Sequence, residues 1–152
     1  MSALAERLQQ DMKDAMRAGD KQRLGVIRRA RAAIKNAEIE NRGPLDEAGV
    51  VRVLRVMARQ HDESIEQVRA AGRDDRAAEE EAERRVIDAY LPALLDEAAI
   101  EAGLREVIAA EGASGPRDMG RVMKAAMARF GGDADGRTVS AIAGRLLSQG
   151  AT

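Results

Sequence analysis

Asp46–Gly72 reads DEAGVVRVLRVMARQHDESIEQVRAAG. Val50, Leu54, Met57, Ile65 and Val68 recur at the spacing that gathers side chains on one side of an α-helix. Asp46 is suited to accept the first orphan N–H groups of that helix, and Gly72 to supply the left-handed residue that stops it. Alternating β-branched runs bounded by turns occur neither here nor elsewhere in the chain, so the pattern decides for helices and against a sheet.

The same reading extends in both directions. Upstream, Leu4, Leu8, Met12 and Met16 follow Ser2 and end at Gly19. Asp20 then opens a second helix with the stripe Leu24, Ile27, Ala30, Ile34 and Ala37, ending near Arg42-Gly43-Pro44. Downstream, a glutamate-rich helix is expected from about Asp74 to Tyr90, stopped by Leu91-Pro92 because a residue before proline avoids the helical region. Four helices with short connections suggest an antiparallel bundle or a pair of hairpins. Beyond Pro92, alanine, glycine and serine rise, and helices are expected at 96–111, 117–130 and 136–149, with Asp96 and Asp135 as N-caps. The expected protein is all-α: an N-terminal helical region over residues 1–92 and a three-helix tail subdomain over 93–152.

Composition narrows the chemistry. The chain is 45% hydrophobic and 34% charged, but 25 Lys and Arg nearly cancel 26 Asp and Glu, so overall charge names no partner. Cysteine is absent, which excludes thiol catalysis and disulfides and fits a reducing compartment. Tyr90 and Phe130 are the only aromatic residues, so stacking platforms for nucleobases are essentially missing. No apolar run approaches the roughly 20 residues that span a bilayer, and Met1–Lys13 is amphipathic without a signal-peptide core. A cytoplasmic address, with no membrane partner and no cofactor, is the expectation.

His61 is the single side chain that ordinarily titrates between pH 5 and 8. It follows Leu54 by seven positions, in line with the apolar stripe, and reads as a partly buried histidine between helices. With one histidine and no cysteine, the usual zinc-ligand sets are lacking, and a catalytic triad would have only His61 to build on. Glu79, Glu80, Glu81 and Glu83 sit on one helix, where consecutive residues diverge, and read as a solvated salt-bridged face. The loop Gly131–Gly136 fails as a calcium loop: counted from Asp133, glycine falls at position four and Gly144 at position twelve. Nor does it continue into a phosphate-binding lysine. No catalytic residue and no metal site are assigned.

Two basic features remain. Lys21, Arg23, Arg28, Arg29, Arg31 and Lys35 occur with no acid between residues 21 and 35. In the tail, Arg117, Arg121, Lys124, Arg129, Arg137 and Arg145 outnumber Asp118, Asp133 and Asp135. Cations on helices cut by glycine turns suit contacts with an RNA backbone, where affinity is electrostatic and shape outweighs sequence. Glycines permit close approach, and helix starts at Arg117 and Gly136 offer amides to phosphate. Met119, Met123 and Met127, spaced by four, suit either core packing or an adaptable groove for a partner helix.

Particular residues carry a resemblance. Asp118-Met119-Gly120-Arg121-Val122-Met123, Met127, Asp135-Gly136 and Val139 resemble the tail of the GatB/YqeY family, as do Gly112-Ala113-Ser114, Tyr90-Leu91-Pro92, Ser64-Ile65-Glu66 and Gly72-Arg73. The match runs in register from the Met12 region and Arg23-Leu24 to Leu147, and the chain resembles the freestanding YqeY-like members. The chain departs from the pattern at Asp133, Lys124, Ser140, His61-Asp62, Arg76 and Arg84. The resemblance implies a helical region followed by the three-helix module that also ends the B subunit of glutamine-dependent aminoacyl-tRNA amidotransferases, where it helps hold tRNA. The catalytic region of that enzyme, with its carbon–nitrogen ligase activity and glutamine as amide donor, has no room here. The expected function is a noncatalytic accessory module that binds tRNA or an amidotransferase-like partner, with Arg121, Lys124, Arg129 and Arg137 on phosphates and Gly120 and Gly136 allowing close approach. The alternatives are a module that docks a partner helix and a ligase in its own right.

Overall fold

Ser2, Asp20, Asp46, Asp96 and Asp135 each turn a side-chain oxygen back onto the backbone N–H three residues on, at 2.7–3.1 Å. Each such cap satisfies one orphan donor and contributes about 1 kcal/mol. These five residues open five of the seven α-helices that the computed structural model, which describes residues 1–150, contains; no strand occurs among the described residues.

The helices are α1 (Ala3–Ala18), α2 (Lys21–Asn41), α3 (Glu47–Ala70), α4 (Asp74–Asp88), α5 (Glu97–Glu111), α6 (Met119–Phe130) and α7 (Gly136–Gly150). The all-α reading is correct, and the differences lie at the ends. α4 stops at Asp88, two residues short of Tyr90, because the N–H groups of Tyr90 and Leu91 bond to Ile87 and Asp88 and tighten the chain ahead of Pro92. Pro116–Asp118 forms a separate 3-10 turn, so α6 begins at Met119 and not at 117. α2 ends with Arg42 in the left-handed region, φ 56°, although Gly43 is the next residue. The Gly43 N–H reaches the Glu38 carbonyl at 3.0 Å, a closure that needs the residue before it to be left-handed. Arg42 meets that need at a cost of about 1 kcal/mol relative to glycine.

Two compact units divide the chain, Met1–Leu91 and Pro92–Thr152, of which the last two residues lie outside the described ones. In the first, α2 packs on α1, α3 and α4, and α3 and α4 form a hairpin. Val26, Ile27, Ala30 and Ile34 of α2 meet Leu8, Val50, Leu54, Ala58, Ile87 and Tyr90 in its core. Tyr90 closes this core at a polar edge: its hydroxyl donates to Asp11 at 2.5 Å, and Arg7 lies 4.7 Å over the ring. Burial, then the bond to Asp11, pushes the Tyr90 hydroxyl up to about 12, so it stays protonated throughout the ordinary range.

In the second unit α5, α6 and α7 each pack on the other two around Ile100, Leu104, Val107, Val122, Phe130, Val139, Ile142 and Leu147. Phe130, at the end of α6, lies on Gly103 of α5 so closely that a Cβ there would stand 2.6 Å from ring atom Cε1. Gly103→Ala is therefore expected to cost about 1–3 kcal/mol by overpacking, more than the gain of about 1 kcal/mol in helix propensity. Urea denaturation should show a lowered midpoint for Gly103→Ala, and adding Phe130→Leu should recover part of the loss. An unchanged or raised midpoint in the single variant contradicts this contact.

Candidate nucleic-acid interface

α6 carries Arg121 and Lys124 three residues apart on its solvent side, and both are exposed. Arg121 pairs with Asp118 at 3.0 Å, whereas Lys124 has no ion-pair partner among the described residues. Arg129, in the last turn of α6, pairs with Glu106 of α5. Arg137, in the first turn of α7, is exposed and close enough to Asp135 to favour its ionised form. Arg145 pairs with Glu101 at 3.5 Å, and Glu101 also accepts from Arg105 at 2.9 Å. Exposed pairs of this kind contribute at most about 1 kcal/mol, so a stronger anionic ligand can exchange with them.

Gly120 and Gly136 are exposed, and neither is required by the chain's own geometry. Neither has a positive φ, and a Cβ placed on either meets no atom within 4 Å. Glycine inside a helix costs about 0.5–1 kcal/mol relative to alanine, and here no internal contact uses the missing side chain. Gly103 has the opposite character, since Phe130 occupies its space.

Of the two helix starts offered to phosphate by the sequence, the one at Gly136 already holds a carboxylate, whereas Asp118 accepts from the loop ahead of the Arg117 turn and caps no helix amide. The Ser114 and Thr138 N–H groups donate to Asp118 at 2.9 Å and Asp135 at 3.0 Å. The Ser114 N–H, with Gly115 and Arg121 adding, holds the Asp118 carboxyl below the usual aspartate range; the Thr138 N–H and hydroxyl do the same for Asp135. The Ser114 and Thr138 amides are thus taken, and exposed side-chain cations remain to meet an anion. The Asp133 carbonyl accepts from the Leu95 N–H at 2.8 Å, which ties the turn ahead of α7 to the segment before α5. Met119 and Met123 pack against the core and Met127 is exposed, so the methionine stripe is mainly structural.

The basic face of α2 is divided. Arg23 pairs with Asp11 at 3.4 Å, Arg29 with Glu83 at 3.1 Å, and Arg31 donates to the Met12 sulfur at 3.0 Å. Arg28, Arg31 and Lys35 also rim a groove of about 430 Å³ between α1 and α2, floored by Leu8 and Ile34. His61 is half-buried and bridges helices as expected, with Nδ1 2.7 Å from Glu80 Oε2 and 3.9 Å from Glu83 Oε2. Reading the four glutamates on their helix alone missed this meeting. The available signal was hairpin symmetry, for His61 lies eleven residues before Gly72 and Glu83 eleven after it.

An all-helical chain whose second unit is three helices with exposed cations fits the family its tail residues resemble. The chain belongs to the YqeY-like family: the family model described as Yqey-like protein matches residues 5–147. It is also 40% identical over 88 residues to the altered inheritance of mitochondria protein 41, mitochondrial, of Eremothecium gossypii, a match covering 57% of this chain and 48% of the relative. The matched segment thus spans about half the length of that curated relative. No helix among the described residues is long and apolar enough to cross a membrane.

Because both aspartates are ionised more readily in the fold than in the unfolded chain, their stabilisation is complete above the ordinary aspartate value of about 4. It is lost as pH falls through their lower folded values. Asp118→Asn with Asp135→Asn keeps accepting oxygens but removes the charge. The double variant should show a shallower fall of melting temperature below about pH 4; an acid limb identical to that of the parent contradicts the assignment.

Proposed function

We propose that this protein is a noncatalytic tRNA-binding accessory module that works beside an amidotransferase-like partner, with Arg121, Lys124, Arg129 and Arg137 on backbone phosphates. The observation that carries the reading is the pairing of exposed cations with Gly120 and Gly136, two exposed glycines whose missing side chains serve no contact inside the chain. A nucleic-acid backbone lying against α6 and the start of α7 uses both features, because phosphates need the cations and close approach needs the absence of Cβ. Membership of the YqeY-like family gives the choice of tRNA its support, through the module's likeness to the amidotransferase tail. The lack of base-stacking aromatics makes the contact one of charge and shape. The cytoplasmic address belongs to the same proposal; the relative's own name places that protein in mitochondria.

Fluorescence anisotropy with unfractionated tRNA tests it. Four phosphate contacts give a slope of log affinity against log salt near −3.6, roughly −0.9 per contact. Glutamate at each of the four positions should weaken binding and flatten the slope by roughly 1 per cation. Gly120→Ala should raise stability by about 0.5–1 kcal/mol while weakening tRNA binding. Undetectable binding at low ionic strength, or tRNA binding unaltered in Gly120→Ala and the charge variants, rejects the proposal.

A further inference from the structure

The α3–α4 hairpin places one imidazole against two carboxylates. His61 Nδ1, a Glu80 carboxylate oxygen and a Glu83 carboxylate oxygen all lie within 4.8 Å of one another, and all three side chains are half-buried, 13%, 19% and 26% exposed. Glu80 and Glu83 are three apart on α4 and so share the side facing α3. Ion pairs between Asp62 and Arg84 and between Arg69 and Glu81 link the same two helices.

Within the chain each member of the cluster has a partner, but the two carboxylates do not share one. Nδ1 of His61 faces Glu80 at 2.7 Å; Glu83 at 3.9 Å is beyond hydrogen-bond reach of it and is met by Arg29 at 3.1 Å. Zinc bound by nitrogen and oxygen at about 2.0–2.2 Å in tetrahedral geometry separates its ligand atoms by roughly 3.3 Å. The 2.7 and 3.9 Å separations from Nδ1 straddle that value and the third pair lies within 4.8 Å, so side-chain adjustments of about 1 Å bring the three donors to one centre. Coordination through Nδ1 takes the neutral tautomer with its N–H on Nε2, so one divalent ion would occupy the place of the Nδ1 hydrogen and bind both carboxylates, Glu83 giving up its contact with Arg29.

We propose that His61, Glu80 and Glu83 form a binding site for a divalent transition ion of the zinc class, with a fourth coordination position left for water. Imidazole in the donor set favours zinc, cobalt or nickel over magnesium and calcium, which carboxylates alone would take. The site clamps α3 to α4 within the first unit, whereas the cations proposed to meet tRNA belong to the second, so the proposal is independent of tRNA binding.

Calorimetric titration of the untagged full chain with Zn²⁺, and with Co²⁺ followed by its visible absorption, tests the site. One ion per chain should bind and raise the melting temperature, while Mg²⁺ should not compete. His61→Gln, Glu80→Gln and Glu83→Gln should each weaken Zn²⁺ binding by at least about tenfold, with far-UV circular dichroism and the metal-free urea midpoint showing that each variant is folded. If one of them does not fold, the other two carry the test. Absence of Zn²⁺ and Co²⁺ binding to the parent chain overturns the proposal, as does affinity in the folded variants within threefold of the parent.

Discussion

The seating of Phe130 on the bare backbone of Gly103 governs how α5 and α6 approach in the second unit. With a single phenylalanine and no tryptophan in the chain, that core is otherwise built from Ala, Val, Ile and Leu, and a ring can enter it only where a neighbouring helix yields space. Because Phe130 is the last residue of α6, anchoring it also fixes the adjoining turn: the left-handed Gly131, the short 3-10 segment to Asp133 and the cap that starts α7. Arg129 and Arg137, on either side of that turn, inherit their positions from the same contact. The glycine that makes the core and the glycines proposed to meet RNA thus have opposite physical reasons for lacking a side chain.

Ion pairs cross between helices in both units. In the first, charges link helices: Asp11 receives Tyr90 and Arg23, Glu83 receives Arg29, and Arg84 spans to Asp62. In the second, the acids that answer the cations are exposed or half-buried at the surface, and Lys124 has none among the described residues. Both units therefore tie part of their positive charge into partly exposed pairs, and in the tail an external anion can compete for the cations so held.

Legibility in the sequence tracks the range of the interactions. N-caps were readable because an aspartate or serine side chain reaches only three residues along its own helix, and Asp20, Asp46, Asp96 and Asp135 all do so. α2 stops at Arg42, within the expected Arg42-Gly43-Pro44 stretch; that Arg42 and not Gly43 is the left-handed residue is set by the hydrogen-bonding register, which periodicity does not specify. The tail cations could be named from charge alone, but not that Glu106 and Glu101 would face two of the arginines across helices. His61, Glu80 and Glu83 stayed apart in the sequence reading because their meeting needs two helices in antiparallel register, which helical periodicity within either one does not specify.

The bond from Tyr90 to Asp11 joins positions 79 residues apart in a chain with one tyrosine and no tryptophan. Ultraviolet emission from this protein consequently originates at one locus, where α1 meets the end of α4. A neighbouring carboxylate that accepts the phenol proton quenches tyrosine light, so the native chain should be dim and brighten as the first unit opens. The second unit, with Phe130 alone, is nearly silent in that signal. Emission and far-ultraviolet dichroism followed together would thus tell whether the two units melt as one or in succession.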